Sequence, residues 1–389
     1  MNKILKFSIY ATVALAVAFN FSACSDNDDD TDDAGKEQVL TEISKQYVNN
    51  TVITTYRSLA DETITLYDAI VKLKAEKTDA NVQAVANSWK KARDYWELSE
   101  AWLYGPADDF GIDPHIDTWP LDVNALESTI LTNDTYIERM GKEDGDVWAS
   151  DFFEDGLLGF HGIEYIVFEN GKAKNVSKIT DKQLIYAVAV AGDLRNQCFR
   201  LEAAWAGLDN VSSEKKAKLS AIGAELKYET TNYYYGEMLL QPGLTKFCET
   251  SEDACELILE GCVVIAEEVG TMKIGRPHTG SSEEDLNYIE SPYSYNSKVD
   301  FIGNIKSIQN AYLGGIEGKR GASLSNYIKD IDHALDTEIK KGMEDAIAKI
   351  EAIPSPFAQN FTSPQAGAAM DACNDLADML TKAKLVIRQ

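Results

Sequence analysis

The sequence has few of the residues and motifs that mark common catalytic centres. It contains four histidines in 389 residues, and no two of its six cysteines form a C-x-x-C pair, so it offers no zinc knuckle and no thiol-redox motif. The zinc-protease motif, in which two histidines flank a glutamate on one helix, is also missing. So are the G-x-S-x-G, phosphate-loop and dinucleotide motifs. The sequence therefore gives no support for acyl-transfer, nucleotide or hydride chemistry.

The scarcity of histidine also limits the kind of metal site that the chain can form. An all-histidine zinc centre would need three of His115, His161, His278 and His333. His333 lies opposite the apolar seam of its predicted helix, so it should be exposed and uninvolved. A metal site would therefore be rich in carboxylates with one imidazole. Such a site suits iron, manganese or calcium, or binds zinc weakly.

Long apolar runs are missing after the first residues of the chain. The run from Ile9 to Phe21 is too short for a stable membrane span. Lys3 and Lys6 precede it and small residues stand before Cys24, which is typical of an export signal. The pattern resembles a bacterial lipoprotein signal, and it predicts that residues 1–23 are removed and that Cys24 carries a lipid anchor. The alternative is a plain secretory peptide.

Acidic residues are in large excess, and the formal net charge is −26. This charge disfavours nucleic acid and anionic lipid as partners and favours cations. Residues 24–36 are rich in aspartate, and we expect them to form a disordered tether. An acidic run at this position resembles a surface-export signal of bacterial lipoproteins. We therefore expect an outer-membrane lipoprotein on the cell surface; the alternative is a spacer that faces the periplasm.

Helical periodicity fills most of the remaining chain, without strand-like alternation. We count about nine helices in two sets and predict an all-α fold of two helical-bundle domains, residues 37–207 and 208–389. The longer predicted segments are a helix capped at Thr78-Asp79 and ended by Gly105-Pro106, an acidic loop from Gly105 to Leu121, a helix from Ser212 or Ser213 to about Leu240, an irregular stretch from Gly270 to about Ser297, and a helix from Ser323 to Ile353.

Three cysteines, Cys248, Cys255 and Cys262, recur every seven residues. On one helix, neighbours at this spacing would be roughly 10 Å apart, too far for a disulfide. They are therefore either core thiols or partners for Cys198 and Cys373.

The predicted helix within residues 157–168 has no polar face, so we expect it to be buried. His161 and Glu164 lie about 60° apart on its helical wheel and can address one point, where they would share a ligand or a proton. Burying both side chains costs free energy unless a hydrogen bond, a metal or a substrate satisfies them. Two interpretations stay open: a metal or substrate site, and a structural hydrogen bond. Gly159 and Gly162 would let another helix or a ligand come close.

Acidic residues elsewhere can complete a pocket around this pair. On the helix that follows Thr78, Glu100 projects within about 40° of the centre of the apolar seam, whereas Glu97 lies at its edge. Asp113 and Asp117 belong to the acidic loop. We therefore expect a pocket with His161 and Glu164 at one corner and Glu100 and the acidic loop as its other walls.

Four motifs together resemble the imelysin-like proteins, which are grouped with metallopeptidases. They are Gly159-x-His161-x-x-Glu164, the segment from Trp89 to Gly105 with Arg93, Glu97 and Glu100, Ile116-Asp117-x-Trp119-Pro120, and Glu290-Ser291-Pro292-Tyr293-Ser294 followed by Asp300 and Asn304. The resemblance implies an all-helical, two-domain fold in which the motif residues converge between the domains. It also implies a bacterial envelope protein, often tied to iron acquisition.

A more distant resemblance to periplasmic iron-uptake proteins concerns the ligands. Their E-x-x-E, D-x-x-x-D and H-x-x-E motifs correspond to six positions: Glu97, Glu100, Asp113, Asp117, His161 and Glu164. The tryptophan and proline at 119 and 120 depart from the iron-uptake pattern.

These observations lead to one expected function and two alternatives. We expect a lipoprotein that binds a metal ion, such as iron, zinc or calcium, or a metal-bearing small molecule, with other iron-uptake proteins as candidate partners. The first alternative is a metallopeptidase in which Glu164 or Glu100 acts as general base, although a single histidine among carboxylates makes a poor Lewis-acid site. The second is a surface adhesion or polysaccharide-binding module.

Overall fold

The structure of the protein is a computed structural model, and it describes residues 29–389. The expected signal peptide, the lipidation site Cys24 and the first residues of the tether lie outside this range. The chain is helical from Asp29 onward, which differs from the disordered tether expected up to residue 36. Leu40 and Ile43 lie on the buried face of this first helix, and the helix continues from them toward the N-terminus as far as Asp29. No described helix is long and apolar enough to cross a membrane.

Helices dominate the described chain, which confirms the all-α prediction. The α-helices are α1 Asp29–Tyr47, α2 Ile53–Ala75, α3 Asp79–Glu97, α4 Pro106–Asp109, α5 Ile112–Asp117, α6 Val123–Ala125, α7 Asp134–Met140, α8 Gly145–Phe152, α9 Gly159–Val167, α10 Asp181–Ala206, α11 Ser213–Ala221, α12 Tyr235–Leu240, α13 Ser251–Glu268, α14 Arg276–Thr279, α15 Glu283–Leu286, α16 Ser297–Tyr312, α17 Leu324–Ile331, α18 His333–Ala352, α19 Phe357–Asn360 and α20 Pro364–Ile387. Shorter 3-10 or π-helical segments are Val48–Val52, Glu100–Trp102, Leu126–Ile130, Asp155–Leu157, Val176–Lys178, Leu208–Asn210 and Val269–Gly275. Two short strands, β1 Phe168–Glu169 and β2 Lys172–Ala173, pair antiparallel.

A first bundle is built around α2 and α10, which pack against each other along their length. Helix α3 packs on α2, and α8 and α9 pack on α10. The apolar residues that recur at helical spacing on α2 and α3 are buried, among them Leu59, Leu66, Val85 and Trp89. Helix α9 also contacts α3 and α5, so it lies inside the bundle and not on its surface.

A second bundle consists of α13, α16, α18 and α20. It meets the first bundle where α16 packs against α3 and where α13 packs against the 3-10 turn Glu100–Trp102. Helix α1 also packs against α13. The division of the chain between residues 207 and 208 stays a prediction.

The segment after α3 differs from the sequence prediction. Helix α3 begins after its N-cap Thr78 as expected, but it ends at Glu97 and not near Gly105. The amide of Ala101, which a continuing helix would bond to Glu97, instead donates to Ser307 Oγ over 3.0 Å. Glu100 therefore lies in a 3-10 turn. The expected acidic loop contains α4 and α5, which are too short to show a periodic pattern.

Three other predicted segments were also wrong in part. The helix expected to reach Leu240 ends at Ala221, and α12 starts only at Tyr235. The stretch expected to be irregular begins with the π-helical segment Val269–Gly275 and contains α14 and α15. The long helix near the C-terminus is broken at Asp332, whose carboxylate accepts the Leu335 amide hydrogen over 3.0 Å and so starts a new helix, α18.

The cysteines that the structure describes form no disulfide. The five residues are buried and unpaired: Cys198, Cys248, Cys255, Cys262 and Cys373. Burial raises the pKa of Cys373 to about 12, so its thiol stays protonated and unreactive. Of the two interpretations, the core thiol is the correct one.

Candidate functional site

The residues singled out in the sequence converge where the two bundles meet. The first bundle contributes Arg93 and Glu97 from α3, Glu100 from the 3-10 turn, Asp113 and Asp117 from α5, and His161 and Glu164 from α9. The second half of the chain contributes Lys273, the turn from Glu290 to Ser294, and Asp300 and Asn304 from α16. Most of these side chains are almost inaccessible to solvent.

The start of α9 needs two glycines. Gly159 has a φ of 65°, and a Cβ there would lie 1.9 Å from the carbonyl oxygen of Ile116. A Cβ on Gly162 would lie 2.4 Å from the Tyr186 hydroxyl. The missing side chains let α9 come close to α5 and α10. This close approach holds His161 beside Asp117.

Glu164 orients His161 and joins the two halves of the site. Its Oε2 lies 3.1 Å from His161 Nδ1. Its Oε1 accepts three hydrogen bonds, from the Tyr293 amide at 3.0 Å and from the amide and hydroxyl of Ser294 at 2.7 Å each. Both oxygens are thus occupied. The structure shows the hydrogen bond that one interpretation expected, and the metal or substrate site of the other interpretation stays a prediction.

Asp117 is the carboxylate on which the histidine, an arginine and a tryptophan meet. It forms an ion pair with Arg93 and accepts a hydrogen bond of 2.7 Å from Trp96 Nε1. His161 Nε2 lies 3.1 Å from Asp117 Oδ1, although the two groups are poorly aligned for a hydrogen bond. Burial alone would favour the neutral acid, but Arg93 and His161 lower the pKa of Asp117 below its usual range. Asp117 is therefore ionised.

Arg93 and Lys273 are the internal cations of the site. Arg93 lies 2.5 Å from Glu97 and 2.8 Å from Glu290, in addition to its pair with Asp117. Lys273 Nζ lies 3.1 Å from Glu290 and 3.7 Å from Glu100. Lys273 was not predicted. The sequence feature that could have indicated it is a lysine within the apolar segment Val269–Gly275, and the structure shows this lysine to be fully buried.

Carboxylates nevertheless outnumber cations around this junction. The acids are Glu97, Glu100, Asp113, Asp117, Glu164, Glu268, Glu290 and Asp300, and the cationic groups are Arg93, Lys273 and His161. Burial, with repulsion from neighbouring acids, raises the pKa of Asp113 to about 8 and that of Asp300 to about 7. The same causes raise the pKa of Glu100 and of Glu268, a residue that sequence analysis missed.

Two cavities border the ionic cluster, and we name them by their walls. The acidic cavity, of about 280 Å³, is lined by Glu100, Asp113, Asp117 and Glu268 together with Trp119 and Tyr288. The aromatic cavity, of about 500 Å³, is lined chiefly by Trp119, Leu121, His161, Ile289, Tyr293 and Phe361. Pro120 and Pro292 of the predicted motifs also line the aromatic cavity. Trp119 is a wall of both.

The remaining motif residues support the site from the second bundle. Asp300 accepts hydrogen bonds of 2.6 Å from Ser291 and from Asn296. Asn304 donates to Glu97 over 2.5 Å. These contacts fix the carboxylates that surround Arg93 and do not reach either cavity.

The other histidines lie outside the site. His115 Nε2 lies 2.8 Å from Asp193 on α10, and His278 Nδ1 lies 2.8 Å from the carbonyl oxygen of Phe361. His333 is exposed, as expected. His161 is therefore the single imidazole that the described chain brings to the carboxylates.

Two groups of side chains have the spacing that a metal site requires, because the ligand atoms within each group lie within 4.8 Å of one another. They are Asp117, His161 and Glu290, and Glu97, Glu100 and Asp117. Glu290 Oε2 is a buried acceptor without a hydrogen-bond partner among the described residues, and His161 Nε2, which can accept only when the imidazole is neutral, also has none. Unsatisfied buried acceptors are the groups that a bound cation would satisfy, so the donor set fits a metal ion.

The fold and site define an all-helical protein of two bundles with a buried, carboxylate-rich cluster at their junction. The chain belongs to the imelysin family, because the family model described as Imelysin matches residues 52–383. Iron-regulated protein A of Synechococcus elongatus is 27% identical over 357 residues, which cover 91% of this chain and 85% of that protein.

Two solved structures are similar to this chain. A Parabacteroides distasonis protein described as an iron-regulated protein A precursor is 27% identical, with a TM-score of 0.76 over 90% of this chain and 95% of that chain. An imelysin-like protein of Psychrobacter arcticum 273-4 has a TM-score of 0.58 at 14% identity, over 91% of this chain and 94% of that chain. The second similarity concerns the fold alone.

Proposed function

We propose that this protein binds a metal ion or a metal-bearing ligand at the junction of its bundles and that it serves iron acquisition. The observation that carries the proposal is the acidic cavity, where Glu100, Asp113, Asp117 and Glu268 line one space of about 280 Å³. Four carboxylates around one cavity repel one another, and a bound cation would offset that repulsion. The similarity to iron-regulated protein A supports iron as the metal; zinc and calcium are the alternatives.

The acidic cavity suits an added cation better than the neighbouring group of Asp117, His161 and Glu290. Arg93 already bridges Asp117 and Glu290, so a metal between them would have to displace a buried guanidinium. In the acidic cavity Arg93 pairs with Asp117 and Lys273 Nζ lies 3.7 Å from Glu100, whereas Asp113 and Glu268 form no ion pair within residues 29–389. Glu100, Asp117 and Glu268 would hold a metal there through oxygen atoms, which hard cations prefer.

The peptidase alternative is less well supported by the geometry. Glu164 has both oxygens engaged by His161, Tyr293 and Ser294, so it cannot accept a proton from a water molecule without breaking these bonds. His161 is the single imidazole that the described chain brings to the carboxylates, and a metal held mainly by carboxylates is a poor Lewis acid for amide hydrolysis. We therefore favour binding over hydrolysis.

We also propose that the protein is an outer-membrane lipoprotein anchored through Cys24 and exposed on the cell surface. The export signal and the acidic run after Cys24 support this location. Cell fractionation of wild type and Cys24→Ala tests it. The wild type should remain with the membrane and be digested by protease added to intact cells, and the variant should become soluble. A membrane-bound variant would contradict lipid anchoring.

Metal binding is tested by titrating iron, zinc and calcium into the purified protein, with calorimetry and elemental analysis as readouts. The test variant is Glu268→Gln, and the matched control is Glu267→Gln, because Glu267 precedes it on α13 and is exposed. We expect Glu268→Gln to weaken binding by about tenfold, or about 1.4 kcal/mol, and the control to bind as the wild type does. No binding of any of the metals by the wild type, or equal losses in the two variants, would refute the proposal.

A peptide-digestion assay with the loaded protein then separates the two functions. If the metal binds and the peptides stay intact, the binding function stands. Cleavage that disappears in Glu100→Gln would establish the peptidase instead.

A further inference from the structure

The aromatic cavity has the size of a site for a small organic molecule. Its volume of about 500 Å³ lies within the range of roughly 300 to 1,000 Å³ that is usual for such sites. Both halves of the chain build its wall. Trp119, Leu121 and His161 come from the first half, and Tyr293 and Phe361 come from the second. The cavity is thus a recess between the two halves and not a groove along one helix.

Aromatic and aliphatic side chains make up most of this wall. Trp119, Tyr293 and Phe361 supply rings, and all the lining residues except His161 and Asn287 are apolar or aromatic. An ordered water molecule needs roughly two to four polar partners, and this wall supplies few of them. An apolar molecule would therefore displace water from the cavity at little cost in hydrogen bonds.

The wall also limits the charge that a ligand can carry. No aspartate, glutamate, lysine or arginine within residues 29–389 lines the aromatic cavity. The two ring nitrogens of His161 each lie 3.1 Å from a carboxylate oxygen, of Asp117 or of Glu164, so the nearest polar neighbours of the imidazole belong to the ionic cluster. A charged group that entered the cavity would lose hydration and find no carboxylate, ammonium or guanidinium on the wall. The wall therefore disfavours anions and cations and favours an uncharged molecule.

The orientation of the wall rings favours a ring in the ligand. The rings of Trp119 and His161 have centroids 6.2 Å apart, and their planes are inclined to each other by 54°. Because the two planes differ, an entering ring can stack on one of them and meet the other edge to face. An aromatic ligand would gain from these contacts in addition to the burial of its apolar area.

We propose that the aromatic cavity binds an uncharged organic molecule that carries an aromatic ring. A polar end of the ligand would lie at the mouth, where Asn287 is exposed and can exchange hydrogen bonds with it. This inference goes beyond the proposed function and does not depend on it, because an uncharged ring can occupy the aromatic cavity whether or not a metal occupies the acidic cavity. All measurements are therefore made in metal-free buffer.

The charge preference is tested by calorimetry with three probes that share one indole ring. At neutral pH tryptophol is uncharged, indole-3-acetate is an anion and tryptamine is a cation. We expect tryptophol to bind at least about tenfold more tightly than either charged probe. Equal binding of the three probes, tighter binding of a charged probe, or no binding of tryptophol would overturn the proposal.

The preference for an aromatic ring is tested with a second pair of uncharged probes, 2-phenylethanol and 2-cyclohexylethanol. The cyclohexyl compound is the more hydrophobic, so it would bind more tightly in a cavity that recognises apolar area alone. We expect 2-phenylethanol to bind at least as tightly, because the wall rings add contacts that only an aromatic ring can make. Tighter binding of 2-cyclohexylethanol would overturn the proposal of an aromatic ligand.

Variants locate the binding. Ala358, a half-buried residue on α19, lines the cavity, and Ala358→Trp should weaken the binding of tryptophol at least about tenfold by filling the space. Leu286→Trp should act in the same direction from a more exposed position on the rim, so it tests the proposal even if Ala358→Trp fails to fold. Ala80→Trp, at an exposed site at the start of α3, is the control and should bind as the wild type does. Equal affinities in all three variants would place the binding elsewhere and overturn the proposal.

Discussion

Ser294 donates two hydrogen bonds to the same oxygen of Glu164, one from its amide and one from its hydroxyl, each 2.7 Å long. The two residues come from opposite halves of the chain. Since the other oxygen of Glu164 lies 3.1 Å from His161 Nδ1, one carboxylate both ties the halves together and orients the imidazole. Glu164 thus positions His161, and its role as a metal ligand stays a prediction.

Replacing Glu164 should therefore destabilise the protein more than a loss of charge alone would. In Glu164→Gln the amide oxygen can still accept from Ser294, but its NH₂ group then faces the donor Nδ1 of His161. We expect the free energy of unfolding to fall by ~3 kcal/mol, measured by chemical denaturation. Glu143→Gln, at an exposed position, should change it by less than ~0.5 kcal/mol. Similar small effects of the two substitutions would contradict the role of Glu164.

Gly159 is expected to be irreplaceable for a steric reason. It shares a positive φ with Gly111, 65° against 61°, but a Cβ at Gly159 would lie 1.9 Å from Ile116 O, whereas nothing lies within 4 Å of one at Gly111. Gly111→Ala should lower the free energy of unfolding by ~1 kcal/mol, because an alanine there must adopt the left-handed conformation. Gly159→Ala adds the clash with the Ile116 carbonyl, so it should lower the free energy of unfolding by at least ~3 kcal/mol or prevent folding. Chemical denaturation measures both losses. If the two variants lose equal stability, α5 and α9 can move apart easily to accommodate the added Cβ.

The all-helical fold and the identity of most site residues could be predicted from the sequence. Residues such as Leu66 and Val85 repeat at the helical period over several turns, and such long patterns leave little ambiguity about α2 and α3. The end of α3 could not be predicted, because it depends on Ser307, which is distant in sequence and competes for the amide of Ala101.

The division of roles within the site was also beyond the sequence. The spacing of His161 and Glu164 indicates that they share a face, but it does not show that Ser294 already satisfies the carboxylate. Glu268 and Lys273 belong to no recognisable motif, and only the packing of the second bundle against the first brings them to the acids. Local pattern predicts which residues are buried, whereas tertiary contacts decide their partners.

Lys273 should be essential for stability in the absence of metal. Its removal in Lys273→Met leaves Glu290, Glu97 and Glu100 with one internal cation fewer, and we expect a loss of ~3 to 5 kcal/mol in metal-free buffer. If the proposed function is correct, added calcium or iron should raise the melting temperature of this variant more than that of the wild type, because the metal replaces the missing charge. Lys306→Met, at an exposed position, is the control and should show neither effect. If Lys273→Met behaves like Lys306→Met, the buried acids do not need a cation to offset their charge.

Asp113 should make the metal-free protein less stable as the pH rises. Burial, with the charges of Glu268 and Asp117, raises its pKa from 3.8 to about 8. Between these values the native state holds a proton that the unfolded chain has released, so the free energy of unfolding falls with increasing pH and levels off above about 8.

Asp113 is only half-buried, so solvent screening keeps this contribution to ~1 to 2 kcal/mol between pH 5 and pH 9. Asp113→Asn should remove it, whereas Asp330→Asn, at an exposed position on α17, should leave the pH dependence unchanged. Denaturation of the three proteins in metal-free buffer at both pH values measures the difference. If Asp113→Asn loses as much stability as the wild type does over this interval, Asp113 is already ionised in the native protein, and repulsion within the acidic cavity is weaker than its geometry implies.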